Sequence, residues 1–155
     1  MVTSDIIRVL NRLLHTICRS LPMYLDEARP WTCRDDEEME TALRNLVSDQ
    51  RLMAEHVTSA IVEQGGRPGP GRFPTQFTAA NDLSLDFLRK LLIEHQRCDV
   101  EAVRRCVSDL SPAPVMKELA EEALGNAQGH LEILERIDRG WAANGEPQVT
   151  VENDE

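Results

Sequence analysis

The sequence predicts an all-α protein, an antiparallel four-helix bundle with one long connection between its second and third helices. Three observations carry that reading. Aromatics make up only 4% of the chain against 41% apolar residues overall, so Leu, Ala and Met must fill most of the core. β-branched residues are scattered rather than clustered, which disfavours strands. Apolar residues recur at helical spacing in four long segments, which a Gly- and Pro-rich stretch divides two and two.

The first helix is expected from about Ser4 to about Ala28, capped by Thr3 or Ser4, with Ile6, Leu10, Leu13, Leu14, Ile17, Leu21 and Tyr24 along one face. Pro22 interrupts it, because proline cannot donate to the Cys18 carbonyl. The segment RPWTC is then a short connection. The second helix runs from about Asp36 to about Gln64. Its acidic opening DDEE suits the positive end of a helix dipole, and Gly65 and Gly66 close it. The inward row is Met39, Ala42, Leu43, Leu46, Gln50, Met53, Val57, Ala60 and Ile61, in which Gln50 is the polar exception.

The stretch GGRPGPGRFPTQFT is too rich in Gly and Pro to be helical. Its 14 residues reach about 45 Å when extended, comparable with the roughly 42 Å of a 28-residue helix. A crossover of that length lets the second and third helices point the same way. The third helix is expected from about Ala80 to about Leu110, burying Leu85, Leu88, Leu91, Leu92, His95, Asp99, Ala102, Val103 and Cys106. A turn at SPAP starts the fourth, which runs to about Arg139 on Met116, Leu119, Ala120, Ala123, Ala127, His130, Leu131, Leu134 and Ile137. The bundle domain is therefore 1–140, and the polar, acidic residues 141–155 read as a disordered tail.

A net charge of -10 leaves no basic stripe to displace counterions from a phosphate backbone, which argues against nucleic acid and against anionic membrane surfaces. No run of residues approaches a membrane span, and Asp5 and Arg8 interrupt the first apolar stretch, so no signal peptide is read and a cytoplasmic location is expected. The cysteines Cys18, Cys33, Cys98 and Cys106 show no CxxC spacing and read as reduced thiols. His15 and His56 fall off the apolar rows and read as surface residues. Gly125 and Gly129 also face outward and read as tolerated surface glycines, the alternative being close approach of a second subunit's helix.

Two stretches carry a resemblance. LNRLLHTICRSLPMYL in the first helix resembles a pattern in which LNxLL is followed by a ligand glutamate and, seven residues later, a tyrosine. NAQGHLEILERID in the fourth resembles an E-x-x-H run within a pattern like DEEGHxxWLE. Both patterns are those of bacterioferritins, so the chain resembles the ferritin-like family of four-helix bundles over residues 4–139. The resemblance implies a dinuclear iron site at mid-bundle. It also implies that most ligands have changed here: Ile17 stands at the first glutamate position, Ala127 at the fourth helix's glutamate, and His130 at its histidine. Counting back from GGRP places Gln50 and Met53 at the second helix's Glu and His, and the third helix's glutamate falls at His95.

Iron pairs need bridging carboxylates to balance their charge. Ile17, Gln50, Met53, His95, Ala127 and His130 do not supply them, so no cofactor and a structural or protein-interaction role are expected. The partner is then a second copy of the chain or another protein. The alternative is a single Fe or Zn ion held by His95 and His130, with Asp99 or Gln50 adding oxygen. The bland counterpart is a hydrogen-bonded relict of His95, His130, Asp99 and Gln50.

Overall fold

The computed structural model describes residues 1–28, 37–82 and 85–144. Its elements are α1 (Thr3–Cys18), α2 (Leu21–Ala28), α3 (Glu37–Glu63), a 3-10 helix (Thr75–Asp82), α4 (Leu85–Asp109) and α5 (Pro114–Asn144). The connection RPWTC with Cys33, and residues 145–155, lie outside the described residues.

The expected first helix is two helices. Pro22 is the second residue of α2, where a missing N–H costs nothing, and the break falls at Arg19 and Ser20, just where its ring would meet the Cys18 carbonyl. Val2, rather than Thr3 or Ser4, caps α1, without a side-chain bond, and Asp5 supplies the favourable charge of the first turn. At the end of α3, Gly65 has φ +82°, its N–H bonds the Val62 carbonyl at 2.9 Å, and the Gly66 N–H bonds the Ile61 carbonyl at 2.9 Å. This is the paired-bond termination that glycine's left-handed conformation permits.

The crossover does run the length of the bundle, laid along α1 in the same direction. Gly66 sits so close to Ile7 that a Cβ there would lie 2.7 Å from its Cγ2. Further on, Asn11 Nδ2 donates to the Arg67 carbonyl (3.0 Å), Gly69 N–H donates to Asn11 Oδ1 (2.7 Å), and Arg19 Nε donates to the Gly71 carbonyl (2.7 Å). Asn11, His15 and Arg19 are four residues apart and so form one polar row. Beyond them, Phe73 and Phe77 pack on Tyr24. From Thr75 the chain coils into 3-10 turns, so the last residues of a stretch expected to be non-helical are helical after all, and α4 starts at Leu85 rather than near Ala80.

α1, α3, α5 and α4 surround the core in that order, each packed on the next, so α3 and α4 point the same way across the diagonal. Most of the rows expected on α1, α3 and α5 are buried, with Val9 and Val47 added, while Ile6, Tyr24, Leu43, Gln50, Leu119, Ala127, Leu131 and Ile137 are half-buried. On α4, Leu88, Leu92, Val103 and Cys106 are buried as expected, but the buried face is wider on the side of α5, where it also takes in Arg89, Ile93, Gln96 and Val100, while Leu91, His95, Asp99 and Ala102 are half-buried. Polar Arg89 and Gln96 disguise that side of the inward face. α5 also runs to Asn144, past the expected end near Arg139, and the Arg89 guanidinium lies 4.2 Å from the centre of the Trp141 ring. That contact is favourable where the cation is desolvated, as Arg89 is at 1% exposure.

The apolar core divides by level. One cluster joins Leu10, Leu13, Ile17, Met53, Val57, Val103, Cys106 and Ala120. Two others lie at the opposite end, around Leu21, Phe77 and Leu92, and around Met39, Leu46, Ile93 and Leu134. Each fully buried Leu contributes about 1.5–3 kcal/mol. Between these levels lie Ser20, Gln50, Gln96, Asp99 and His130.

Candidate functional site

The polar level encloses a cavity of about 20 Å³, room for one water. α1 contributes Thr16 and Ile17, α3 contributes Asp49, Gln50 and Met53, α4 contributes Asp99 and Val103, and α5 contributes Ala123, Asn126, Ala127 and His130. The order follows from helix phase: Ile17, Met53 and Val103 continue the apolar rows, and the polar groups interrupt those rows at one height.

His130 Nε2 lies 2.7 Å from Asp49 Oδ2 and joins α5 to α3. A carboxylate only accepts, so the imidazole proton is on Nε2 and donates. The His130 side chain is 10% exposed and that of Asp49 51%, so the pair runs from the core to the surface. Gln50 Oε1 accepts from the buried Ser20 hydroxyl at 2.9 Å. Gln96, fully buried, donates through Nε2 to the Ala127 carbonyl at 3.1 Å, and its Oε1 has no partner among the described residues. Asp99 Oδ2 is likewise without a partner there. Burial pushes the Asp99 carboxyl up to about 7, because a charge removed from water is disfavoured unless something compensates it.

Of the residues chosen from the sequence, His130, Asp99 and Gln50 line the cavity together with Ile17, Met53 and Ala127. His95 does not. Its ring stands edge-on to Phe77, with centroids 5.4 Å apart and planes at 81°, on the side of the 3-10 helix. His130 is therefore the single imidazole at the cavity among the described residues. No three His, Cys, Asp or Glu side chains converge on a point that could hold a metal ion, among the described residues.

Asp49, Asn126, Thr16 and Gln96 were not chosen from the sequence. Asp49 had a signal, since it lies three residues after Leu46 and four before Met53, both on the inward row. Cys106 is buried and Cys98 exposed, and burial pushes the Cys106 thiol above its ordinary value. His15 and His56 are exposed, and the space around Gly125 and Gly129 is open.

Among the described residues no helix is long and apolar enough to cross a membrane. No family model matches the sequence, and no curated protein matches it. Among solved structures, the bacterioferritin of Desulfovibrio desulfuricans, described with its diiron site in a reduced and reoxidised state, is similar with a TM-score of 0.70 and 20% identity. The similarity covers 93% of this chain and 84% of that one. Helix order, the lengthwise crossover and this superposition agree: the chain has the ferritin-like four-helix-bundle fold.

Proposed function

We propose that this protein is a ferritin-like bundle without a di-iron oxidase centre, and that it acts as a structural or protein-interaction module. One observation carries the reading, the donor set of the mid-bundle cavity. Di-iron sites of this architecture take a glutamate from each of two helices and a Glu-x-x-His from each of the other two. Here the ionisable lining is Asp49, Asp99 and His130, set among Ile17, Met53, Val103, Ala123 and Ala127. Asp49 already accepts from His130, and burial holds Asp99 towards its neutral form. These residues do not fit a pair of hard cations, which need several anionic oxygens.

A single Fe or Zn ion on two imidazoles, the other reading of the sequence, loses one of them when His95 turns to Phe77. His130 could ligate through Nε2 only by giving up Asp49. The proposed partner is a second copy of this chain or another protein.

The test is Fe(II) oxidation by the full chain under air, with metal content measured before and after and light scattering for mass. Oxidation at the uncatalysed rate, with less than one iron retained per chain and a mass above the monomer, is the expected result. Catalysed oxidation with two irons bound per chain would overturn the reading. One bound ion that a His130→Ala variant loses would replace it with the mononuclear one.

A further inference from the structure

We propose that the outward face of α5 is a self-docking surface, on which a second copy of this chain lays its own α5 antiparallel, about a two-fold axis between Gln128 and Gly129. The proposal rests on the reading of the protein as an interaction module, and names the partner and the face.

Charge order carries it. α5 packs on α3 and α4, and residues three or four apart along its opposite side form one face. Glu118 and Glu121 come first, Gly125, Gln128 and Gly129 form the middle, Glu132 follows, and Arg136 and Arg139 come last. Both acids, Gly125, Glu132 and both arginines are exposed. A helix dipole does not account for this order, because no acid lies in the first turn of α5 and no base in the last. Internal pairing does not account for it either. Among the described residues Glu118, Arg136 and Arg139 make no ion pair, and Glu121 reaches only Lys117, at 3.6 Å.

Turned end for end, the face matches itself. With the axis between Gln128 and Gly129, Glu118 stands opposite the partner's Arg139, Glu121 opposite the partner's Arg136, and Gly125 opposite the partner's Glu132. The symmetry makes each pairing twice. A parallel pair would set acid on acid and arginine on arginine. The glycines fall where the two helices cross. A Cβ on Gly125 or Gly129 meets nothing within 4 Å, so the chain's own packing does not require them, although each weakens the helix relative to alanine. An open groove between α4 and α5, which Gln128, Leu131 and Glu132 help to line, flanks the crossing. From Glu118 to Arg139 the face is roughly 32 Å long and about 10 Å wide, less than the roughly 800 Å² per partner of a stable interface. The dimer is therefore weak, reversible and dependent on its charge pairs.

The experiment is sedimentation equilibrium of the full chain in chelator-containing buffer at about 0.15 M salt, where net charge is screened beyond about 8 Å. The wild type should dimerise. Glu118→Arg with Glu121→Arg lowers the net repulsion between copies, yet it should raise the dimer Kd about tenfold or more, as should Arg136→Glu with Arg139→Glu. An equal mixture of the two double variants should dimerise again, since one chain then presents four arginines to four glutamates. Gly125→Ala with Gly129→Ala should stabilise the helix while weakening the dimer about tenfold, and this pair decides should a charge variant not fold. A wild type that stays monomeric up to about 1 mM would overturn the proposal. A dimer that survives both charge variants, or the alanine pair, would overturn the α5 face and leave self-association through another face. Two irons retained per chain after Fe(II) loading, with the mixture result unchanged, would overturn the metal-free reading and leave the docking face in place.

Discussion

His130 donates to Asp49 at 2.7 Å, which ties α5 to α3 at the height where the apolar core is interrupted. A charge-assisted hydrogen bond contributes about 1.5–3 kcal/mol when shielded, and less when one partner is half exposed, as Asp49 is. A double-mutant cycle on Asp49→Ala and His130→Ala should therefore give a coupling energy of about 1 kcal/mol in denaturant unfolding. The His130 single variant should cost more than the Asp49 one, because it also empties a buried site. Equal costs with no coupling would show the two side chains acting independently.

The crossover gives a second prediction. Gly71 has φ +75°, and a Cβ there would lie 2.8 Å from His15 Nδ1, whereas Gly65, at φ +82°, has open space around it. Both Gly→Ala changes incur the backbone cost of about 1 kcal/mol. Gly71→Ala should cost more in thermal unfolding, and in a His15→Ala background its cost should fall to that of Gly65→Ala. Identical costs in the wild-type background would mean that the His15 ring moves aside freely.

Arg89 and Trp141 give a third. With the guanidinium buried 4.2 Å from the indole centre, the contact contributes about 2 kcal/mol at the end of α5. Trp141→Leu should raise amide exchange in the final turns of α5 while leaving the turns around Ala120 protected. Uniform loss of protection along α5 would contradict a local role. Arg89→Ala should cost more overall, since it removes a fully buried side chain and the ion-pair partner of Asp138.

Much of the bundle was legible because its inward rows keep a helical period: Leu10, Leu13, Leu14 and Ile17 on α1, and Met53, Val57, Ala60 and Ile61 on α3. Pro22 and Gly65 were legible for a different reason, since each restricts or permits one backbone conformation regardless of context. The face of α4 was legible in part. Leu88, Leu92, Val103 and Cys106 are buried as their spacing implies, but the inward face also includes Arg89 and Gln96, which tertiary partners satisfy in part, and His95 packs against Phe77 on the 3-10 helix. The site was half legible on the same ground. His130, Asp99 and Gln50 stood out as polar residues in apolar rows, whereas Asp49, with its side chain half exposed, had only its spacing from Leu46 and Met53 as a signal.

The Ile17 side chain allows a fourth prediction. It is 4% exposed and lines the cavity beside Asp99. Ile17→Glu with Ala127→Glu adds two carboxylates there, and without metal the cost should be several kcal/mol. Divalent metal should restore part of the lost melting temperature in this variant and leave the wild type unchanged. Equal stabilisation of both by Mn(II) would show that the native cavity already binds the ion.

The most direct measurement is an anomalous difference map from crystals of the full chain soaked with Fe(II) and, separately, Mn(II). The donor set around Asp49, Asp99 and His130 predicts no paired peaks at mid-bundle. Two peaks roughly 3.5–4 Å apart, the spacing of two-metal sites, bridged by side-chain carboxylates, would contradict the account.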